Sequence, residues 1–301
     1  MKPLVFNPVY VERIWGGRDL ENYRNDMPEG VIGESWDVSA HNGGMSVVKM
    51  GEHEGKTLLE LIDTFGAELV GTKCAGKEFP LLVKLINSRD SLSVQVHPGD
   101  EYARRVENQF GKTECWYVMD AKEDATLVMG TKTTDKEIFR NAALEGKLDE
   151  HLNTISVKKG DFFYIPSGLI HAIGPGVIIA EIQQSSDITY RVYDYNRGRE
   201  MHLDKAMEVT DFTLQPSLAI NENLLCQGEF FTVEKYVVED SLKDRSNEEK
   251  FFIYTCVEGE GTLVAGDFEV EIKLGDSFLI PATTGDYEIK GHLTVLKSFV
   301  A

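Results

Sequence analysis

Most of the chain alternates short apolar runs with Gly, Asp and Asn turns, a pattern that predicts strands. Such runs cover residues 92–96, 116–119, 126–129, 162–165, 177–182 and 251–257, and the last third is almost all strand. Four stretches carry helical spacing instead. Thr57 caps a helix whose inner face is Leu58, Leu61, Ile62, Phe65 and Leu69. A second starts after Pro98 with Asp100 as its cap and runs through Tyr102 and Val106. A third covers 135–148, with Ile138, Phe139, Ala142 and Leu148 inward, and a short fourth lies near 203–209. The expected fold is therefore all-β, with a few surface helices packed on a β core.

The strand pattern repeats. The hexapeptide ATLVMG at 125–130 returns as GTLVAG at 261–266, and the GD-x4-IP segment at 160–166 returns at 275–281. The first pair is 136 residues apart and the second 115, a difference of 21, about the length of the helical stretch after Gly130. The chain reads as two copies of one β unit, the first with a helix inserted.

Hydrophobic residues make up 42 % of the 301, too many for a disordered chain and enough for two domains. The formal charge of −19 argues against nucleic acid or anionic membrane as partner, since both need basic surface. A small phosphorylated ligand needs only a few local cations and stays open. No run reaches the roughly 18 apolar residues of a membrane span. The opening MKPLVFNPVYVERIWGG, broken by prolines and charges, is unlike a signal peptide. Cys74, Cys115, Cys226 and Cys256 have neither metal-knuckle nor disulfide spacing, so reduced thiols in a cytoplasmic protein are expected.

Three polar features fall beside the repeat. Gln95 and His97 share one face of a strand that ends at Pro98. Glu114 opens the next strand, and its neighbour Cys115 points to the opposite face. A Pro-Ser-Gly turn then aims His171. Two neutral imidazoles, a carboxylate and an amide oxygen suit a divalent cation; zinc is favoured by the N/O mixture, and iron and manganese also accept it. Counting by the repeat sets Lys250 against Glu114 and Asp286 against His171, and an ammonium has no lone pair for a metal. The second copy is accordingly expected to be metal-free. Trp15, Trp36 and Trp116 are expected to serve core packing rather than sugar stacking. His41, His53, His151, His202 and His292 match no ligand segment.

Residues 80–98 (PLLVKLINSRDSLSVQVHP), 111–118 (GKTECWYV), 160–174 (GDFFYIPSGLIHAIG) and 185–197 (SSDITYRVYDYNR) together resemble the type I mannose-6-phosphate isomerases of the short bacterial kind. RIWGG at 13–17 and GESWDVSAH at 33–41 are similar to the same family, and 160–171 resembles the second motif of the cupins. The resemblance implies two cupin (jelly-roll) β-barrel units, a catalytic one at 1–215 and a degenerate, metal-free one at 216–301. It implies a zinc-dependent aldose–ketose isomerase, one zinc per chain, interconverting mannose 6-phosphate and fructose 6-phosphate through an enediol. It matches Gln95, His97, Glu114 and His171 to zinc ligands and Arg191 to an active-site arginine. Asp187, Lys112 and Lys84 match further residues of catalysis and substrate binding. The C1–C2 base stays open among Asp187, Glu114 and a histidine near the metal. Thr113 stands where longer members often carry proline, and there is no room for their inserted helical domain. The alternative reading is a non-catalytic sugar-phosphate sensor that keeps metal and pocket. An oxygen-dependent cupin is a third. Oligomeric state is left open.

Overall fold

A computed structural model describes all 301 residues. The strands form a seven-stranded and a five-stranded sheet that belong to the first unit, a nine-stranded sheet built mainly from the last third of the chain, and a small hairpin. Each run predicted as strand lies within or overlaps an observed one, among them Glu114–Ala121, Phe162–Ile165, Val177–Gln184 and Phe252–Ala265. No helix is long and apolar enough to cross a membrane.

Alternation along the central strands places the site. In Leu81–Ser88 the side chains of Leu81, Val83 and Leu85 join a 32-residue core between the two units. Cys115, Tyr117 and Met119 of the neighbouring strand do the same, as do Ile178, Ala180 and Ile182. Phe231, Val233, Ile253, Leu279 and Leu296 meet them from the second unit. The other face of these strands points into the first barrel, so Lys84, Glu114, Trp116 and Glu181 stand together inside it. Strands covered on both faces read as continuous apolar runs, and Glu181 went unnoticed within one of them.

The helices follow the expected pattern with two differences. Thr57 caps Leu58–Phe65 with a reciprocal Glu60 bond, and Gly66 breaks that helix from Ala67–Val70. Asp135 caps Lys136–Glu145, yet Ile138 is exposed while Phe139 and Ala142 are buried. Gly99, not Asp100, precedes the Asp100–Val106 helix. The Asp100 carboxylate instead accepts from Gly111 N at 2.7 Å and Gln184 Nε2 at 2.9 Å. It thereby ties down the segment that carries Lys112.

The ladders correct the correspondence between the copies. Glu114 pairs with Ile165 as Phe252 pairs with Ile280, so Phe252, not Lys250, stands in the place of Glu114. Ile173 pairs with Leu127 as Ile289 pairs with Leu263, which sets Tyr287, not Asp286, in the place of His171. Gln95 lies opposite His171 as Asp244 lies opposite Tyr287. Likewise Glu181 faces Trp116 as Lys297 faces Tyr254. Counting fails for Glu114 because the turn before Leu127 is longer than the stretch before Leu263, where one strand, Phe252–Ala265, runs straight through. It fails for His171 because the stretch from Ile280 to Ile289 is one residue longer than that from Ile165 to Ile173.

Two pairings cross the expected boundary at residue 215. Ser217–Leu218 adds to the seven-stranded sheet beside Phe162–Ile165, with Leu218 opposite Phe163. Leu4–Asn7 pairs with Ser277–Ile280 in the nine-stranded sheet, with Leu4 opposite Leu279.

Candidate active site

His97, Glu114 and His171 are buried and their ligand atoms lie within 4.8 Å of one another. His97 Nδ1 donates to the Ile188 carbonyl at 2.7 Å, and His171 Nδ1 donates to the Leu169 carbonyl at 2.8 Å. A carbonyl only accepts, so each Nδ1 carries the proton and each Nε2 offers a lone pair. The two Nε2 atoms face each other at 3.1 Å. Glu114 reaches them at 3.6 Å from His97 and 3.5 Å from His171. Burial, then the Lys112 ammonium, holds the His97 imidazole well below its ordinary value, and burial brings His171 down to about 4. Both rings are therefore neutral at pH 7.

Neither Glu114 oxygen accepts a hydrogen bond, although both are shut off from water. Lys112 Nζ lies 2.6 Å from Oε2 without the alignment of one, and 3.1 Å from His97 Nε2. Two neutral imidazoles and a buried carboxylate form a donor set whose one nearby cation within the chain is the Lys112 ammonium. A divalent cation fits it. Gln95 completes the group: its Nε2 lies 3.4 Å from His171 Nε2, and half a turn of the amide presents oxygen there instead.

A cavity of about 400 Å³ opens beside this cluster. Gln95, Lys84, Lys112, Asp187 and Arg191 all line it, so the structure brings the sequence-predicted residues to one place. The buried Lys84 ammonium sits 2.9 Å from Glu181. Burial would lower its pKa, but Glu181 and Glu34 raise it further, so it stays charged. Asp187 is half-exposed, with His41 Nε2 3.8 Å from its Oδ1.

Sequence reading missed four contributors. Glu181 accepts from Trp116 Nε1 at 2.9 Å, and burial together with Glu114 raises its pKa. Glu34 accepts from Trp36 Nε1 at 2.7 Å and from Arg13 at 3.0 and 3.2 Å. Burial opposes its ionisation, but Lys84 and Arg13 prevail and hold it down to about 2. Arg13 and Arg199 also line the cavity. A charge within the apolar run VIIAEIQQ was the available signal for Glu181; the loop that carries Arg199 gave none. All three tryptophans line the cavity, and two of them orient its carboxylates, which is more than the core packing expected of them.

Comparison with known proteins agrees with this geometry. The family model "Phosphomannose isomerase type I, catalytic domain" matches residues 4–123, and "Mannose-6-phosphate isomerase, cupin domain" matches 221–300. Mannose-6-phosphate isomerase ManA of Bacillus subtilis (strain 168) is 39 % identical, over 99 % of this chain and 98 % of that protein. Mannose-6-phosphate isomerase of Streptococcus mutans is 37 % identical over 99 % and 98 %. A crystal structure of the mannose 6-phosphate isomerase from Bacillus subtilis superposes with a TM-score of 0.92 at 36 % identity, covering 99 % of each chain.

Proposed function

The chain belongs to the type I phosphomannose isomerases, and from that premise we propose that it interconverts mannose 6-phosphate and fructose 6-phosphate through an enediol, with one zinc ion per chain. His97, Glu114, His171 and the Gln95 oxygen would hold the ion. Bound there, zinc supplies a Lewis acid that polarises a sugar oxygen. The N/O donor set and its neutral imidazoles favour zinc.

The remaining residues divide the work. Glu34 is tied to Arg13 and Trp36, Glu181 to Lys84 and Trp116, and Glu114 to the metal cluster. Asp187 and Glu12 are the cavity carboxylates without a cationic clamp; of the two, Asp187 is the one the family resemblance matches to the active site, so we assign it the proton transfer between C1 and C2. Lys84 and Lys112 bring two buried ammonium groups beside the cavity, where they bind sugar oxygens and offset charge that develops in the enediolate. Arg191 binds substrate, and its planar fork suits an anionic oxygen pair. Residues 1–215 form the catalytic unit and 216–301 the unit without a donor set, the Leu4–Asn7 strand crossing between them. The four unpaired cysteines favour the cytoplasm.

The observation that carries this reading is the unsatisfied Glu114 carboxylate between two neutral imidazoles, joined through Gln95 and Lys112 to a cavity that also holds Lys84 and Arg191. The test is turnover of mannose 6-phosphate to fructose 6-phosphate by purified protein, with metal analysis, before and after chelation. Activity should vanish with the metal and return with zinc. Bound metal without turnover would leave a sugar-phosphate sensor in place of the isomerase.

A further inference from the structure

The cavity wall gathers three guanidinium groups from separate segments. Arg13 comes from Val9–Gly17, the edge strand of the seven-stranded sheet. Arg191 comes from Tyr190–Tyr193, the edge strand of the five-stranded sheet, and Arg199 from the loop that follows. The three therefore meet where the two sheets leave the first barrel open. Arg13 holds Glu34 through Nε and Nη2, and Arg199 holds Asp194 in the same way, with its Nε at 2.8 Å. Each clamp uses one edge of the fork and leaves Nη1 donors over.

Arg191 has no clamp. It is half-buried, and its Nε is shut off from water with no hydrogen-bond partner. Burial and then the neighbouring Arg199 and Arg13 disfavour its charge, and they outweigh Asp194 and Glu200, which favour it. In a chain with 50 acidic residues against 31 basic ones, a guanidinium left unpaired beside two others is costly unless an anion completes the group. Register places it well for one. Arg191 lies opposite Gln95, which lies opposite His171. One strand spacing, roughly 5 Å, thus separates its backbone from that of Gln95, and two, roughly 10 Å, from that of His171. A six-carbon chain with its reacting end at the cluster and a phosphoryl group at the other end spans such a gap.

We propose that Arg13, Arg191 and Arg199 form the seat for the dianionic phosphoryl group of the substrate, with Arg191 as the direct contact and the two clamped arginines closing it from either side. This rests on the isomerase reading for the substrate, but the seat can be tested without turnover. The probe is inorganic phosphate, titrated by calorimetry into the zinc-loaded protein and into Arg13→Gln, Arg191→Gln and Arg199→Gln, each with zinc content checked. Losing one charge-assisted contact should weaken phosphate binding at least about tenfold in each variant. The ratio of kcat/KM for mannose 6-phosphate over free mannose should fall by a similar factor. Arg13→Lys and Arg199→Lys serve where a glutamine variant does not fold; each should lose part of the affinity, since an ammonium lacks the fork. Phosphate binding that is equal in the wild type and the Arg13 and Arg199 variants would overturn the proposal and reduce those arginines to braces for Glu34 and Asp194. A wild type that binds phosphate at these arginines without isomerising mannose 6-phosphate would overturn the isomerase reading and leave the seat standing.

Discussion

The two barrels share one set of ladders and solve the same problem at their centres in opposite ways. In the first, Gln95, Glu114 and His171 turn donor atoms inward with the Lys112 ammonium beside them, yet neither Glu114 oxygen accepts a hydrogen bond. In the second, the matching positions are Asp244, Phe252 and Tyr287, and the balancing charge is built in. Lys297, in the place of Glu181, donates to Asp244 at 2.6 Å and lies 3.8 Å from the centre of the Phe252 ring. Tyr254 and Tyr287 donate to the same Asp244 oxygen at 3.0 and 2.8 Å. The cluster is closed: a carboxylate, an ammonium, two hydroxyls and an aromatic face satisfy one another. A duplicated fold thus keeps a polar centre in both halves, and only the one left incomplete offers itself to a ligand.

The largest expected effect removes the donor set. His97→Ala or His171→Ala should lower zinc affinity by more than the roughly 10–100-fold that follows loss of an outer-shell partner. Tyr287→Phe should leave zinc content at the wild-type level. Equal zinc in all of these by elemental analysis would erase the distinction between the barrels. Next, Arg191→Ala should keep metal and thermal stability but lose at least about tenfold in kcat/KM for mannose 6-phosphate, the scale of one lost charge-assisted contact; a fully active variant would remove it from substrate binding.

In the second barrel, Lys297→Met strands Asp244. Because the Asp244 side chain is 28 % exposed, we expect about 2 kcal/mol of destabilisation rather than the 3–5 of a fully buried pair. Adding Asp244→Asn should return much of it in denaturant titrations, and no recovery would mean that the lysine acts through packing alone. A smaller effect concerns pH. Burial would raise the Asp244 pKa, but Lys297 and the Arg245 and Tyr287 hydrogen bonds outweigh it and hold it below 3.8. Its contribution is then complete above the unfolded value near 3.9 and fades as pH falls through the lowered folded value. The stability gap between wild type and Lys297→Met should narrow below about pH 4, and a gap constant down to pH 2 would contradict the pairing. Smallest of all, Lys250→Ala and Asp286→Asn should change zinc content by nothing measurable.

Strand periodicity and turn residues made the β architecture and the duplication legible, because both are local signals. The same holds for His97 and His171, each beside a proline or glycine that ends or turns a strand. Register was not legible: a slightly longer turn before Leu127 leaves no mark in composition, yet it shifts Phe252 into the place assigned to Lys250. Asp100 illustrates a different gap. A carboxylate at a helix start looks like a cap, and only the fold reveals Gly111 and Gln184 as its partners. Arg13 and Arg199 stayed hidden because their meaning comes from two sheet edges that are distant in sequence. The division at residue 215 carried no signal of the Leu4–Asn7 strand that crosses it.

That crossing strand has a consequence for how the protein comes into being. Leu4 finds Leu279 only after some 275 further residues have left the ribosome, which at roughly 5–20 residues per second takes about 14–55 s. For that interval the early strand has only Val47–Val48 beside it and its other edge is unpaired, and the 32-residue core between the units lacks the side chains that the second unit supplies, Phe231, Ile253 and Leu279 among them. The half that carries the His97–Glu114–His171 cluster therefore waits for the other half, and the nascent chain passes through a long window in which an apolar face is open to chaperones or to another chain.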